Sequence, residues 1–376
     1  MYTHIENQVK ETQLKDMFYQ SLFIHNPNAS YLLDMNGNFV SFNEEVEVIT
    51  GYSKSELLSM DFWPLFNDED KPILLEKFTT TLAGQKNKFK TTLVQKTGTE
   101  IIISVTCVPV IIDGIVEGIV GIAEDITEEE QTKIRNEKEL HLAQKLQLNV
   151  LPKPISNTSI EIDGVYIPCD ELSGDMYYWQ KLINERYAVV IFDVMGHGVS
   201  SSLIGMTICS MFRELITMKE DPVEIFTYLN EHIYDLFQSS NQPTTYVTGV
   251  LVIIDCQNNS IEYVNAGHVS PVLFSKSLSE PLPSLNLPLG LSNRATYEKK
   301  EMSYNKHSRL VLYTDGLVDS LECDPDKYIA ELATTMQDHE HLSNEHFIKY
   351  LKNKKDKIPE IDKVDDICLV SITIKK

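Results

Sequence analysis

The sequence is short of positive charge, of paired cysteines and of long apolar runs. Lys and Arg number 33 against 55 Asp and Glu, a formal charge of −22. Attraction to a phosphate backbone or an anionic membrane surface is therefore disfavoured, and a nucleic-acid-binding role is set aside. The six cysteines, Cys107, Cys169, Cys209, Cys256, Cys323 and Cys368, form no Cys-x-x-Cys pair. That scatter argues against a disulfide framework or a zinc site and for reduced, buried thiols in a cytoplasmic protein. No uninterrupted apolar run reaches the ~18 residues of a membrane span, and the polar opening MYTHIENQVKETQLKD lacks the apolar segment of a secretory signal. Neither a Gly-Lys-Ser/Thr phosphate loop nor a G-x-S-x-G nucleophile elbow occurs. What is present is 376 residues with 42% hydrophobic and 23% charged content. This is a folding composition, long enough for two or three domains at ~150 residues each.

From about Lys15 to Thr127, short strand-like runs alternate with polar punctuation. Tyr31–Leu33 and Phe39–Phe42 flank Asn36-Gly37, whose positive φ suits a tight hairpin turn. Ser53 with Glu56 three residues on has capping-box spacing and predicts a helix start. Three further strands follow, Lys88–Gln95, Glu100–Ile111 and Ile115–Glu124, separated by Thr97-Gly98 and Asp113-Gly114. Together they predict an α+β module of one domain's length.

Residues 128–151 change character. Charges dominate the first half of EEEQTKIRNEKELHLAQKLQLNVL, while Ile134, Leu142 and Leu146 fall at helical spacing with Leu140 and Ala143 nearby. A long amphipathic helix with an apolar stripe is expected, able to form a parallel two-helix seam in a homodimer. Pro152 and Pro154 end it by removing backbone donors.

Residues 155–376 place carboxylates at strand ends. The apolar run Tyr187–Phe192 is followed by Asp193, then Gly196 and Gly198, then a helix from about Val199. That helix carries Val199, Leu203, Met206, Met211 and Leu215 on or near one face, which predicts its packing surface. Arg309–Tyr313 leads to Asp315-Gly316, Asp365 and Asp366 precede the run Ile367–Ile374, and Asp175 follows Ser173-Gly174. One Asp-Gly after a strand is ordinarily a turn, but several such sites converge on a second meaning. Clustered carboxylates remain ionised together only when cations neutralise them. Oxygen-only ligands select hard ions, Mg²⁺ or Mn²⁺. Two such ions about 4 Å apart can acidify a water and hold phosphoryl oxygens for in-line attack. The implied reaction is metal-assisted phosphate ester hydrolysis. His197 lies beside this group, and His268, in VNAGHVSP, is a candidate general acid or a loop-fixing residue.

Two resemblances follow from these strings. NEEVEVITGYSKSELL, KTGTEIIISVTCVPVIIDG and VEGIVGIAEDITEEE resemble a PAS sensor domain, which implies sensing of a ligand or partner. The Asn-Cys-Arg motif of a flavin photosensor does not occur, and neither His4 nor His25 is placed as a haem ligand. LQLNVLPKP, LSGD, FDVMGHGVSSSL, VTGVLVIIDCQNNSIEYVNAGHVSPVLF, LPLGL, LYTDGLVDS and DDICLV resemble, in order, the SpoIIE-type branch of the 2C-class metal-dependent serine/threonine phosphatases. That resemblance implies a β-sandwich flanked by helices with a two-metal site at one end. It assigns Asp193 as the ligand bridging two Mn²⁺ or Mg²⁺ ions, with the Val194 carbonyl, Asp175, Asp315 and Asp365 completing the shell and Asp366 as alternative to Asp365. Asp193 and Asp315 carry the catalytic role. Ser173 stands where the family usually has Gly, and Tyr178 where it has a further Asp.

The expected organisation is therefore a PAS domain over 15–127, a dimerising linker helix over 128–151 and a phosphatase domain over 155–376. The resemblance implies a cytoplasmic homodimer whose substrate is a phosphorylated anti-sigma-factor antagonist, so that activity favours a general stress sigma factor. An upstream regulatory protein at the PAS domain is a further expected partner, and no nucleic acid or membrane is. A competing reading is a non-catalytic docking protein with a weak metal site, which metal-dependent turnover separates from the first.

Overall fold

The computed structural model describes residues 14, 17, 18, 20–238, 245–275, 278–319 and 365–375. His4, Lys15, Cys323 and Lys376, named above, lie outside the described residues. The chain divides into two compact units, Met1–Lys138 and Glu139–Lys376.

In the first unit β1 (Ala29–Leu33) and β2 (Phe39–Phe42) form the hairpin expected from the sequence. Asp34 closes it by accepting the Asn36 and Asn38 N–H groups, each at 2.8 Å, while Gly37 takes φ +87°. A Cβ there would sit 2.8 Å from the Phe62 ring, so packing and backbone both require glycine. The helices α1 (Glu44–Thr50), α2 (Lys54–Leu57) and α3 (Lys71–Leu82) follow. At the start of α2 the Ser53 N–H donates to the Glu56 carboxylate at 3.0 Å, one arm of the capping box. β3 (Asn87–Val94), β4 (Glu100–Ile112) and β5 (Ile115–Asp125) complete an antiparallel sheet of order β2-β1-β5-β4-β3. Leu33, Phe39, Val46, Leu57 and Ile103 are buried together at its core. A cavity of about 60 Å³ remains, lined by apolar side chains that include Phe62, Phe78 and Ile103. It is smaller than the ~150 Å³ that admits benzene, so a larger ligand requires side chains to move.

The helix α4 (Thr127–Val150) links the units. Asp125 accepts the Thr127 N–H at 2.9 Å, and Glu128, Glu129 and Glu130 in the first turn complement the helix dipole. The expected stripe faces solvent: Ile134, Leu142 and Leu146 are exposed.

The second unit is a sandwich of two antiparallel sheets. One has the order β14-β11-β10-β9-β8 and the other β13-β12-β15-β16-β7-β6. Their strands are β6 (Ile155–Ser156), β7 (Ile160–Ile167), β8 (Met176–Lys181), β9 (Arg186–Val194), β10 (Val247–Asp255), β11 (Ser260–Ala266), β12 (Val272–Ser275), β13 (Leu278–Pro281), β14 (Lys300–Ser303), β15 (Arg309–Tyr313) and β16 (Ile367–Ile374). Alternation along β9 explains its unbroken apolar run. Tyr187, Val189 and Ile191 meet Leu310, Leu312, Val370 and Ile372 of the facing sheet. Ala188, Val190 and Phe192 meet the helices α5 (Val199–Met218) and α6 (Pro222–Gln238) on the outside. Both faces are covered, so both must be apolar.

The packing face of α5 agrees with the expected one at its C-terminal end, where Leu215 is buried and Met211 packs against the core, and departs from it at the N-terminal end. Val199 and Leu203 are exposed, and the buried residues are Ser201, Ser202, Gly205, Ile208, Cys209, Phe212, Leu215 and Ile216. The cause is close approach: a Cβ on Gly205 would lie 2.5 Å from the Gly174 carbonyl oxygen. Small residues are selected where the helix crosses that loop, and there Val199 and Leu203 turn outward. By length and composition α5 could cross a membrane, but Ile208, Phe212 and Leu215 pack on the sheet as in a core helix.

Candidate metal centre

Four acidic positions arrive from both sheets. Asp175 precedes β8, Asp193 lies in β9, and Asp315 and Asp365 flank the paired strands β15 and β16. Asp193 is within its strand rather than beyond it, because β9 continues pairing with β10 through Asp193↔Thr248 and Val194↔Val247. Val194, whose carbonyl is the expected backbone ligand, is thus the last residue of β9 and is buried. Asp315 comes close to the Asp365-Asp366 segment because Gly316 allows it: a Cβ on Gly316 would lie 2.0 Å from the Asp366 carbonyl oxygen.

Electrostatics tie the four together. Burial, and then the charge of Asp193, hold the Asp175 carboxyl well above the usual carboxylate range. Burial, followed by Asp315 and Asp365, pushes Asp193 up to about 7. Asp175 is 4% exposed, and its Oδ2 is buried without a hydrogen-bond partner among the described residues. A buried carboxylate oxygen with no donor and like charges around it is the arrangement a divalent cation relieves. The donor set is oxygen only, which fits Mg²⁺ or Mn²⁺.

Asp365 and Asp366 differ in their surroundings. Both oxygens of Asp366 accept backbone N–H groups, Oδ1 from Cys169 at 2.8 Å and Oδ2 from Gly174 at 2.9 Å. Asp366 thereby fastens the loop that carries Asp175. Asp365 Oδ1 accepts the Asp366 N–H at 2.8 Å.

His268 is placed as a loop-fixing residue rather than as a general acid. His268 is fully buried, with Nε2 3.0 Å from the Tyr313 carbonyl and Nδ1 2.8 Å from the Thr248 hydroxyl. The carbonyl can only accept, so Nε2 carries the proton and Nδ1 accepts from Thr248. Burial lowers its pKa to about 4, so it is neutral near pH 7 and fixes the loop. The Thr248 hydroxyl, its proton given to His268, has none left for Asp193 Oδ2 at 3.5 Å. His197 is exposed and pairs with Asp170 at 2.9 Å, which raises its pKa. Cys169, Asp170 and His197 present ligand atoms within 4.8 Å of one another, as do Cys169, Asp365 and Asp366. Tyr178, at the position of the family's further Asp, packs edge-on to Phe212 with Arg213 over its ring.

Gln147, in the string LQLNVLPKP, is a functional position with no signal of its own in the sequence. It is the one buried residue of α4 and bonds to Ser173, two positions from Asp175.

Comparison with known proteins supports the assignment of both units. Residues 183–375 match the family described as Stage II sporulation protein E (SpoIIE), and residues 27–128 match a PAS domain. Phosphoserine phosphatase RsbP of Bacillus subtilis (strain 168) is 34% identical over 257 residues, covering 65% of this chain. The chain spans 60% of that relative's length. Among solved structures, the SiaA-PP2C domain of Pseudomonas aeruginosa superposes with a TM-score of 0.53 at 18% identity, covering 65% of this chain and 99% of that one. The phosphatase domain and regulatory fragment of SpoIIE from Bacillus subtilis gives 0.50 at 14% identity, covering 82% and 88%. These two show the fold.

Proposed function

The chain belongs to the SpoIIE family and carries a PAS domain ahead of it, and on that premise we propose that it is a sensor-regulated, metal-dependent protein serine/threonine phosphatase. One observation carries the proposal. Carboxylates from both sheets of the sandwich converge in a partly buried place where they repel one another, and Asp175 Oδ2 has no donor among the described residues. Asp175, Asp193, Asp315, Asp365 and the Val194 carbonyl are the groups that would hold Mn²⁺ or Mg²⁺, two ions on this reading. Asp365 is preferred to Asp366 because both oxygens of Asp366 are engaged by backbone. When bound, such ions supply the positive charge that polarises a phosphoryl group and acidifies water. The chain's own residues hold that charge in place: Asp366 fixes the Asp175 loop, and Thr314 joins β15 to β16 by accepting the Cys368 N–H at 2.9 Å.

The substrate we propose is a phosphorylated anti-sigma-factor antagonist, which makes the chain a positive regulator of a general stress sigma factor. Its support is the similarity to a relative named as a phosphoserine phosphatase. The PAS unit, 15–127, receives a ligand or an upstream regulatory protein, the helix 128–151 joins two chains, and 155–376 performs hydrolysis in the cytoplasm. The test is phosphate release from a phosphoserine protein with and without Mn²⁺. Wild type is expected to turn over only with the metal, and Asp193→Asn and Asp315→Asn are expected to lose at least 100-fold in kcat while keeping the wild-type circular dichroism spectrum. Undiminished turnover in both variants would overturn the mechanism.

A further inference from the structure

The helix α4 is charged and exposed along most of its length, yet Gln147 in its last turns is 0% exposed. Burying a side-chain amide is unfavourable unless its donors and acceptor are paired. Here they are. Gln147 Nε2 donates to the Ser173 carbonyl at 2.7 Å, and Oε1 accepts from the Tyr166 hydroxyl at 2.5 Å and from the Ser173 N–H at 3.3 Å. One amide thus grips both backbone groups of a single residue.

That residue leads directly to the metal centre. The Ser173 hydroxyl accepts the Asp175 N–H at 3.0 Å, and Asp175 carries the unpartnered Oδ2. On the other flank Asp366 accepts the Gly174 N–H at 2.9 Å. A Cβ on Gly174 would lie 2.9 Å from Ser201 Cβ, so α5 closes the third side. Two of these three supports, Asp366 and α5, belong to the sandwich and its own helix. The third is the end of the linker.

We propose that Gln147 is a positioning residue for the metal centre, and that through Ser173 and Asp175 the last turns of the linker helix set the affinity of the site for a divalent cation. The proposal rests on the reading of Asp175 as a metal ligand. Coupling of this kind is reciprocal: the cation steadies the end of the helix, and displacement of the helix weakens the cation's hold. A signal travelling along α4 would then act on metal affinity, with substrate contacts untouched.

The test uses the full-length chain. Gln147→Met keeps the volume and removes every hydrogen bond, while Gln147→Glu keeps the shape and the acceptor but loses the donor to the Ser173 carbonyl. Leu148→Ala, at an exposed neighbour, is the control. Mn²⁺ binding is read from the electron paramagnetic resonance signal of free Mn²⁺ during titration, independently of turnover. Both Gln147 variants are expected to raise the Mn²⁺ Kd about tenfold, roughly 1.4 kcal/mol, with Leu148→Ala unchanged. With p-nitrophenyl phosphate at saturating Mn²⁺, kcat and KM are expected to return to wild-type values, a split that a loss of folded protein would not produce. If Gln147→Met does not fold, Tyr166→Phe removes only the hydroxyl on Oε1 and is expected to shift Kd in the same direction by a smaller factor. Wild-type Mn²⁺ affinity in the folded variants overturns the coupling and leaves the metal centre standing. Absence of Mn²⁺ binding by the wild-type chain overturns the metal-ligand reading and the coupling with it.

Discussion

Between pH 4 and pH 8 Asp193 changes what it contributes to the fold. Burial, with Asp315 and Asp365 nearby, lifts its carboxyl to about 7, whereas an unfolded chain holds it near ~3.9. The folded metal-free protein therefore keeps a proton that the unfolded chain has released. The resulting stability is complete below about pH 4 and is lost as pH rises through about 7. His268 tilts the other way: with a pKa near 4 it stays neutral when folded, so its contribution is present above about pH 6.5 and is lost as pH falls toward 4. Because the two slopes overlap, the informative quantity is a difference between variants. Metal-free Asp193→Asn is expected to exceed metal-free wild type in stability at pH 8 by on the order of 2–4 kcal/mol. The gap should narrow at pH 5 and close toward pH 4, as followed by urea denaturation of chelator-treated protein. A gap of equal size at both pH values would show that repulsion at Asp193 is not its cause. Excess Mn²⁺ at pH 8 should reverse the ranking, raising the Tm of wild type and leaving that of Asp193→Asn unmoved, since a ligand that binds only the folded state stabilises it.

The helix α5 settles against the Asp175 loop through Gly205, and two energies compete there. Alanine is preferred to glycine inside a helix by about 1 kcal/mol, but a Cβ at this position would lie 2.5 Å from the Gly174 carbonyl oxygen and 3.1 Å from Met176 Cγ. Overpacking of that kind costs about 1–3 kcal/mol, and backbone cannot swing aside as a side-chain tip can, so the clash outweighs the propensity. Gly205→Ala is expected to lower the Tm of the second unit in scanning calorimetry of the full chain and to weaken Mn²⁺ binding. Leu203→Ala, on the exposed side of the same helix, should change neither. A more stable Gly205→Ala would mean that α5 stands clear of the loop. This contact also explains which elements were legible in the sequence. The strand Tyr187–Phe192 stood out because both its faces are covered, and Asp315-Gly316 stood out because an acidic turn follows an apolar run. Only the C-terminal part of the packing face of α5, Met211 and Leu215, stood out as well; at its N-terminal end Val199 and Leu203 carry the hydrophobicity while Ser201 and Gly205 make the contact. Gln147 escaped for a related reason. An amide among charged neighbours has the composition of a solvated face, and only the arrival of Ser173 and Tyr166 from elsewhere in the chain buries it. Asp366 likewise reads as a second candidate ligand until Cys169 and Gly174, nearly 200 residues earlier, are seen to occupy its oxygens.

For the molecule as a whole, the charge of −22 opposes the approach of any phosphorylated protein, and the proposed pair of divalent ions offsets that repulsion at the one place where it matters. The same long helix has two tasks that lie on different sides of it. Gln147 points into the second unit, while Ile134, Leu142 and Leu146 are 44%, 59% and 54% exposed. Leucines left in water along a helix are unfavourable by about 25 cal/mol per Å² of apolar surface, and in the proposed homodimer a second copy of the same helix would cover them in a parallel seam. The double variant Leu142→Glu/Leu146→Glu places like charges at that seam, and is expected to convert a dimer to a monomer in sedimentation equilibrium at micromolar protein. Its Mn²⁺ Kd should stay at the wild-type value, because neither leucine bonds to the Ser173 loop. A dimer that survives both glutamates would move the contact between chains away from this stripe. A monomer that also loses Mn²⁺ affinity would mean that association, and not Gln147 alone, holds the end of the helix against the metal centre.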